Sequence, residues 1–354
     1  MKVNSIGKGD GVFIIAEMSA NHCQDFETAK AIISAAKESG ADAVKVQTFR
    51  GGTVTIDVKR DEFKIKTARL WKDKYLYDLY EEAYLPWEWH HDLFSYADEL
   101  DIEIFSTVTD KSSTDFVATL NPPAYKIASF EITDIPLIKY VASKGKTIIL
   151  STGIGTLSDI EDAVNACREV GNDDIVLLKC ASQYPALFED INLRSMVSLG
   201  DIFGVAVGFS DHTEGSLAAV ASVSLGATII EKHFILNRAD KSFDREFSLT
   251  PGEFAEMVEN VRNTEKLLGN GYYELTERNR KSKEFQRSLY AVNDIVRGEE
   301  LTVDNIKSIR PGYGLAPKYY EDILGGRASK KIKKGDALNW DLIKMPIGKA
   351  KSGR

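Results

Sequence analysis

A short apolar run, a polar tip and a helical stretch recur along the first three-quarters of this chain. The runs are FIIAE (13–17), AVKVQT (43–48), IEIFST (102–107), AYKIAS (124–129), TIILST (147–152), IVLLKCAS (175–182), AVGFS (206–210) and TIIEKHF (228–234). Most are nearly continuous in apolar residues, as expected of strands covered by protein on both faces. Helical patterns such as FETAKAIISAAKESG and SDIEDAVNACREVG lie between them, and PGEFAEMVENVRNTEKLLG follows the last. Eight β–α units over roughly 265 residues match the size and rhythm of a (β/α)8 TIM barrel. An open doubly wound sheet is the rival, but no GxGxxG opens the first helix. The fold class expected is therefore α/β, with a (β/α)8 barrel over 1–269.

After Gly269 the rhythm stops. Residues 270–286 are polar and charged and read as a linker. Beyond them, AVNDIVRGEELTVDNI (291–306) and ASKKIKKGDALNWDLI (328–343) share the frame A-x3-I-x2-G-x2-L-x4-I. Two copies of such a unit predict a compact second domain over 287–350 with internal pseudo-twofold symmetry. A turn-rich loop holding Arg310 joins the copies.

Composition narrows the function classes. Of 354 residues, 43% are hydrophobic and 28% charged, enough to bury a sizeable core. A net charge of −8 argues against a general nucleic-acid binder but leaves room for local anion pockets. No run approaches the roughly 18–20 apolar residues of a membrane span, and the N-terminal stretch does not read as a signal peptide. Cys23, Cys167 and Cys180 lack CxxC spacing and fit reduced thiols, so a cytoplasmic protein is expected.

In such a barrel the active site forms at the C-terminal ends of the strands, so the polar tips name the candidates. They are Glu17, then Lys45 and Gln47, Ser106 and Thr107, Lys126 with Ser129 and Glu131, Ser151 and Thr152, Ser182 and Tyr184, Ser210 with Asp211 and His212, and finally Glu231 and His233. A lysine inside an apolar strand is costly unless paired. Two of them beside several hydroxyls describe a pocket for a compact polyanion such as a phosphate ester. A single histidine at a strand end is more often a hydrogen-bonded structural residue than a ligand. If strands seven and eight are neighbours, however, His212 and His233 enter one site. Two neutral imidazoles plus substrate and water oxygens would hold a divalent metal with open positions. A structural zinc site would need four protein ligands, and none is visible.

The stretches FIIAEMSANH, GADAVKVQTF, YKIAS, LSTGIG, GFSDHT and IIEKHF, followed by SLYA…IRPGYG, resemble the sialic acid synthase family in order and over nearly the whole chain. That resemblance implies an enzyme that joins phosphoenolpyruvate (PEP) to an N-acetylated amino sugar, releasing phosphate and forming a nine-carbon 2-keto acid. It implies a small antifreeze-like (SAF) domain after the barrel and a domain-swapped homodimer. By residue, it implies that Lys45, Thr107, Lys126, Ser129, Ser151, Ser182, Tyr184 and Ser210 bind PEP. His212 and His233 would bind Mn2+ or Mg2+. Glu17, Gln47, Tyr184 and Asp244 would contact the sugar, joined by Arg310 in trans, while Glu17 or Glu131 handles protons or charge. AEMSANH in place of AEIGxNH, together with LWKDKYLYDLYEEAYLPWEWH and RPGYGLAPKYY, looks most like the branch that uses 2,4-diacetamido-2,4,6-trideoxy-L-altrose. NHCQD departs from the usual NHNG or NHAG, and Ser182 stands where the N-acetylneuraminate branch often has Asn.

The aromatic-rich insert at roughly 50–90 is expected to rim or cover the sugar, with apolar lining for a 6-deoxy carbon. His90 and His91 are assigned to packing. The alternatives are a legionaminic or N-acetylneuraminic acid synthase, a PEP-condensing barrel making an eight-carbon keto acid, and a carbohydrate-binding protein on an inert barrel. The C-terminal module argues against the second, and the paired lysines and histidines against the third.

Overall fold

The computed structural model describes residues 6–7, 9, 11–66, 72–240 and 242–345. The last expected residues of the C-terminal domain, 346–350, lie outside that set, as do 67–71 of the insert. The chain divides into two compact units, Met1–Asn270 and Gly271–Arg354.

In the first unit eight parallel strands close in sequence order: β1 (Phe13–Glu17), β2 (Ala43–Thr48), β3 (Glu103–Val108), β4 (Ala124–Ile127), β5 (Thr147–Ser151), β6 (Ile175–Lys179), β7 (Ala206–Asp211) and β8 (Ile229–His233), with β8 pairing back to β1. The two-residue period of a strand explains why the runs are apolar and yet end in a polar site. Residues facing the barrel axis, among them Ile15, Ala43, Phe105, Ala124, Ile149 and Ile229, form a closed inner cluster. Outward residues such as Ile14, Val44, Ile148 and Leu177 pack under the helices in a much larger one. Two positions beyond each inner residue the same face carries Glu17, Lys45, Thr107, Lys126, Ser151 and Glu231. One step of strand period converts a dry layer into a polar one.

The helices begin where short polar side chains cap them. Asp25 accepts from the Thr28 amide at 2.6 Å to start Phe26–Glu38, and Thr156 accepts from Asp159 to start Leu157–Glu169. The insert after β2 is helical too, with Leu76–Ala83 and Trp87–Glu99. His90 is fully buried there, with Nε2 and Thr48 Oγ1 2.8 Å apart; His91, expected in the packing, is exposed instead. No helix among the described residues is long and apolar enough to cross a membrane.

In the second unit the repeat becomes symmetry. Both copies of the frame are buried in one core: Ala291, Ile295, Leu301 and Ile306, and Ala328, Ile332, Leu338 and Ile343. Ile295 and Ile332 exchange both backbone hydrogen bonds, at 2.8 and 2.9 Å. Gly298 donates to Ala328 and Gly335 to Ala291, each at 2.8 Å, and both glycines sit at φ near +90° (86° and 92°), where a side chain is strained. β9 (Ser288–Ala291) pairs antiparallel with β10 (Ile306–Ile309), and β11 (Arg327–Ala328) with β12 (Ile343–Lys344). The stretch expected to be a plain linker contains a short helix, Glu277–Lys281, started by Thr276 accepting from Asn279. Side-chain capping overrides its polar composition.

Candidate active site

A cavity of about 410 Å³ opens at the C-terminal ends of the strands. Of the expected site residues, Glu17, Lys45, Gln47, Thr107, Lys126, Ser129, Glu131, Ser151, Tyr184, Ser210, His212, His233 and Asp244 all line it. Ser182 stands directly behind, its Oγ 2.6 Å from that of Ser129. Arg310 lies in the second unit and is exposed.

The floor is a chain of buried charges. Lys45 Nζ is 2.6 Å from Glu17 Oε2 and 3.6 Å from Glu231 Oε1, and donates to Thr107 Oγ1 at 3.1 Å. Burial opposes the charge on Lys45, but the two carboxylates more than offset it and hold its ammonium above the usual range. Among the described residues Lys126 has no carboxylate in salt-bridge contact. It donates to Ser151 Oγ at 2.5 Å and to the Ile127 carbonyl at 2.9 Å, and burial pushes its ammonium down. A buried cation satisfied only by neutral oxygens is short of an anion, which is what a phosphate or carboxylate of a ligand supplies.

The carboxylates diverge. Burial raises the Glu17 carboxyl to about 7; Lys45 opposes that shift and Glu231 adds to it. Glu231 suffers the same burial, but Lys45 and Lys126 outweigh it, and Ser210 Oγ donates to it at 3.0 Å, so it is held below the usual range. Glu131 and Asp244 are both pushed up by burial. Glu231 is a residue the strand tips had named without giving it a role. Its contacts with Ser210 on β7 and with Lys45 on β2, one strand beyond β1, depend on β8 closing the barrel, which one sequence does not display.

His212 and His233 meet across the seam of β7 and β8, ring centroids 5.3 Å apart. His212 Nδ1 donates to the Ala181 carbonyl at 2.9 Å, which fixes the tautomer and leaves Nε2 with a lone pair. Buried His233 Nδ1 has no hydrogen-bond partner and lies 3.7 Å from Asp244 Oδ2. Burial lowers both imidazoles, His233 well below the ordinary value with His212 adding to it, so both are neutral, the form that binds metals. Phe247 packs edge-on against both rings. Among the described residues no group of three or more His, Cys, Asp or Glu converges as a metal cluster. The donors thus fit a two-histidine seat whose other positions stay open to substrate and water. Asp211, next to His212 in sequence, turns the other way and forms a fully buried ion pair with Lys232 at 3.0 Å.

The opposite wall is apolar and comes largely from the insert: Val54, Ile65, Leu76, Leu79 and Ala83, with Tyr80, reach the same cavity. The insert was expected to act as a rim; it supplies a side of the pocket.

The geometry is matched by the comparisons. The NeuB family model matches residues 32–273, and the SAF domain model residues 286–344. A pseudaminic acid synthase from Helicobacter pylori is 47% identical over 335 residues, covering 94% of this chain and 98% of that protein. One from Campylobacter jejuni is 45% identical over 338 residues, covering 96% and 98%. Among solved structures, an N-acetylneuraminic acid (sialic acid) synthetase from Leptospira borgpetersenii in complex with citrate superposes with a TM-score of 0.69. It is 28% identical, covering 78% of this chain and 91% of that one. A closed barrel with this site, a family match across most of it and near half-identity along almost the full length lead to one conclusion: the chain belongs to the NeuB family.

Proposed function

We propose that the protein is a pseudaminic acid synthase, condensing PEP with 2,4-diacetamido-2,4,6-trideoxy-L-altrose and water to give pseudaminic acid and phosphate. The observation that carries the reading is Lys126: buried and, among the described residues, hydrogen-bonded only to neutral oxygens, beside a second buried lysine and two neutral histidines. The relatives named above, which are pseudaminic acid synthases, support the choice of sugar.

Lys45 and Lys126 with Thr107, Ser129, Ser151, Ser182 and Ser210 bind the phosphate and carboxylate of PEP, and Tyr184 closes that side. Gln47 and Asp244 orient the open-chain sugar, whose 6-methyl faces the apolar insert. His212 and His233 would hold a divalent cation, Mn2+ or Mg2+, which would supply Lewis acidity for activating the sugar's carbonyl. PEP C3 attacks the carbonyl carbon, and the fixed ammonium groups align the two substrates and balance their anionic charge. Water adds to the electron-poor C2, and the tetrahedral intermediate loses phosphate by C–O cleavage. Glu17, poised near neutrality, delivers the proton to the sugar oxygen, and Glu131 stabilises charge nearby. Arg310 reaches the sugar's N-acetyl group from a second copy of the chain in a homodimer. The free thiols suit a cytoplasmic setting.

The test is phosphate release from PEP by chelator-stripped, Mn2+-restored protein with three sugars: the L-altro compound, its D-manno isomer and N-acetylmannosamine. Release with the L-altro sugar alone is expected. Release with another sugar would overturn the substrate, and none with any would overturn the reaction.

A further inference from the structure

Two residues after the first strand's polar tip, Glu17, the backbone takes a conformation that L side chains avoid. Ser19 has φ +45°, the left-handed region that glycine occupies freely. It is buried, and it lines the cavity. Strain of this kind persists where something is gained by it. The Ser19 hydroxyl shows what that is, because its partner is a site residue: it accepts from Gln47 Nε2 at 3.1 Å. A glycine in the same turn would be free of strain and could not make this contact.

Resting on the reading that this cavity binds an amino sugar, we propose that Ser19 is the positioning residue that fixes the Gln47 amide so that its carbonyl oxygen is presented to the sugar. The Gln47 amide nitrogen has two protons. One goes to Glu17 Oε1 at 2.6 Å and the other to Ser19 Oγ, so only the Gln47 carbonyl oxygen is left for a ligand. One hydroxyl therefore holds the Gln47 amide nitrogen between Glu17 and Ser19 and fixes which way the amide faces. The lone pairs of that carbonyl oxygen are left for the ligand, and they select a donor, a hydroxyl or N–H group of an amino sugar. They offer nothing to the phosphate or carboxylate of PEP.

The test compares Ser19→Ala, which keeps the Cβ and loses the hydroxyl, with Ser19→Gly, which loses both. Each should raise the KM for the sugar by about tenfold and leave the KM for PEP within about twofold. The melting temperature of Ser19→Gly should be no lower than that of Ser19→Ala. A second readout needs no turnover. The chain has four glutamines, so selective 15N side-chain labelling gives few amide signals, and that of Gln47 is assigned by its loss in Gln47→Glu. In Ser19→Ala the two Gln47 amide protons should shift, because one loses its acceptor. An unchanged sugar KM in both variants, or a change in Ser19→Gly alone, would overturn the proposal. If the wild type turns over no sugar, the functional reading fails by itself, and the amide spectrum decides the role of Ser19. An unshifted Gln47 signal then rejects it.

Discussion

Glu17 and Glu231 stand on neighbouring strands, both close to Lys45, yet their environments separate them. Two like groups pushed apart in this way divide the labour of acid and anion. If Glu17 is the proton donor, kcat/KM falls as pH rises through about 7, and Glu17→Gln removes that limb from the profile. The stability sign follows from the same shift. The folded chain holds the Glu17 proton up to about 7 and the unfolded chain only to 4.5, so the fold binds more protons between those values. Stability contributed by this group therefore decreases as pH rises from about 4.5 to about 7, and Glu17→Gln flattens that part of a melting-temperature series. The histidines make a separate prediction. His212→Ala should stay folded, lose detectable Mn2+ binding by calorimetry and lose turnover; retained Mn2+ affinity would put the metal elsewhere.

At the scale of elements, the proposed function makes the insert after β2 the part of the cavity that would discriminate between sugars. Its apolar face on the cavity can favour a methyl over a hydroxymethyl group, though such pockets discriminate by only about 10- to 100-fold. Leu76→Ser should shrink the preference for the 6-deoxy sugar over its 6-hydroxy counterpart towards unity while leaving the KM for PEP in place, read from competing-substrate kinetics. The parts of this site that were legible in the sequence are those where a residue breaks a strong local pattern. Lys45 and Lys126 interrupt apolar strands, and His212 and His233 end consecutive ones. Asp244 breaks no pattern in a polar loop, and only the family likeness drew attention to it. Glu231 and Ser19 are ordinary residues in the sequence. Their importance arises from a strand pairing and from a backbone dihedral, neither of which one sequence displays. The same logic explains the small domain: its five shared positions are legible because they repeat, and all but the glycines go into the core.

At the scale of the whole molecule, the barrel carries a cavity with its buried charges and paired histidines, while Arg310 belongs to the other unit. The proposed arrangement in trans has a direct consequence. Arg310→Ala and His212→Ala are each expected to be inactive alone. After unfolding and refolding together, a 1:1 mixture should recover about a quarter of wild-type activity, from mixed dimers with one complete site. No recovery, with mixed dimers demonstrated by size and tag, would place Arg310 in its own subunit's site or outside catalysis. The measurement that bears most directly on the whole account is the mass of the product. Metal-restored protein given PEP and the L-altro diacetamido sugar should form one molecule of a nine-carbon 2-keto acid, the sugar plus the three-carbon unit of PEP, for each phosphate released. Phosphate released with pyruvate and unchanged sugar would mean that the pocket binds PEP but does not join it to anything, and would contradict the account.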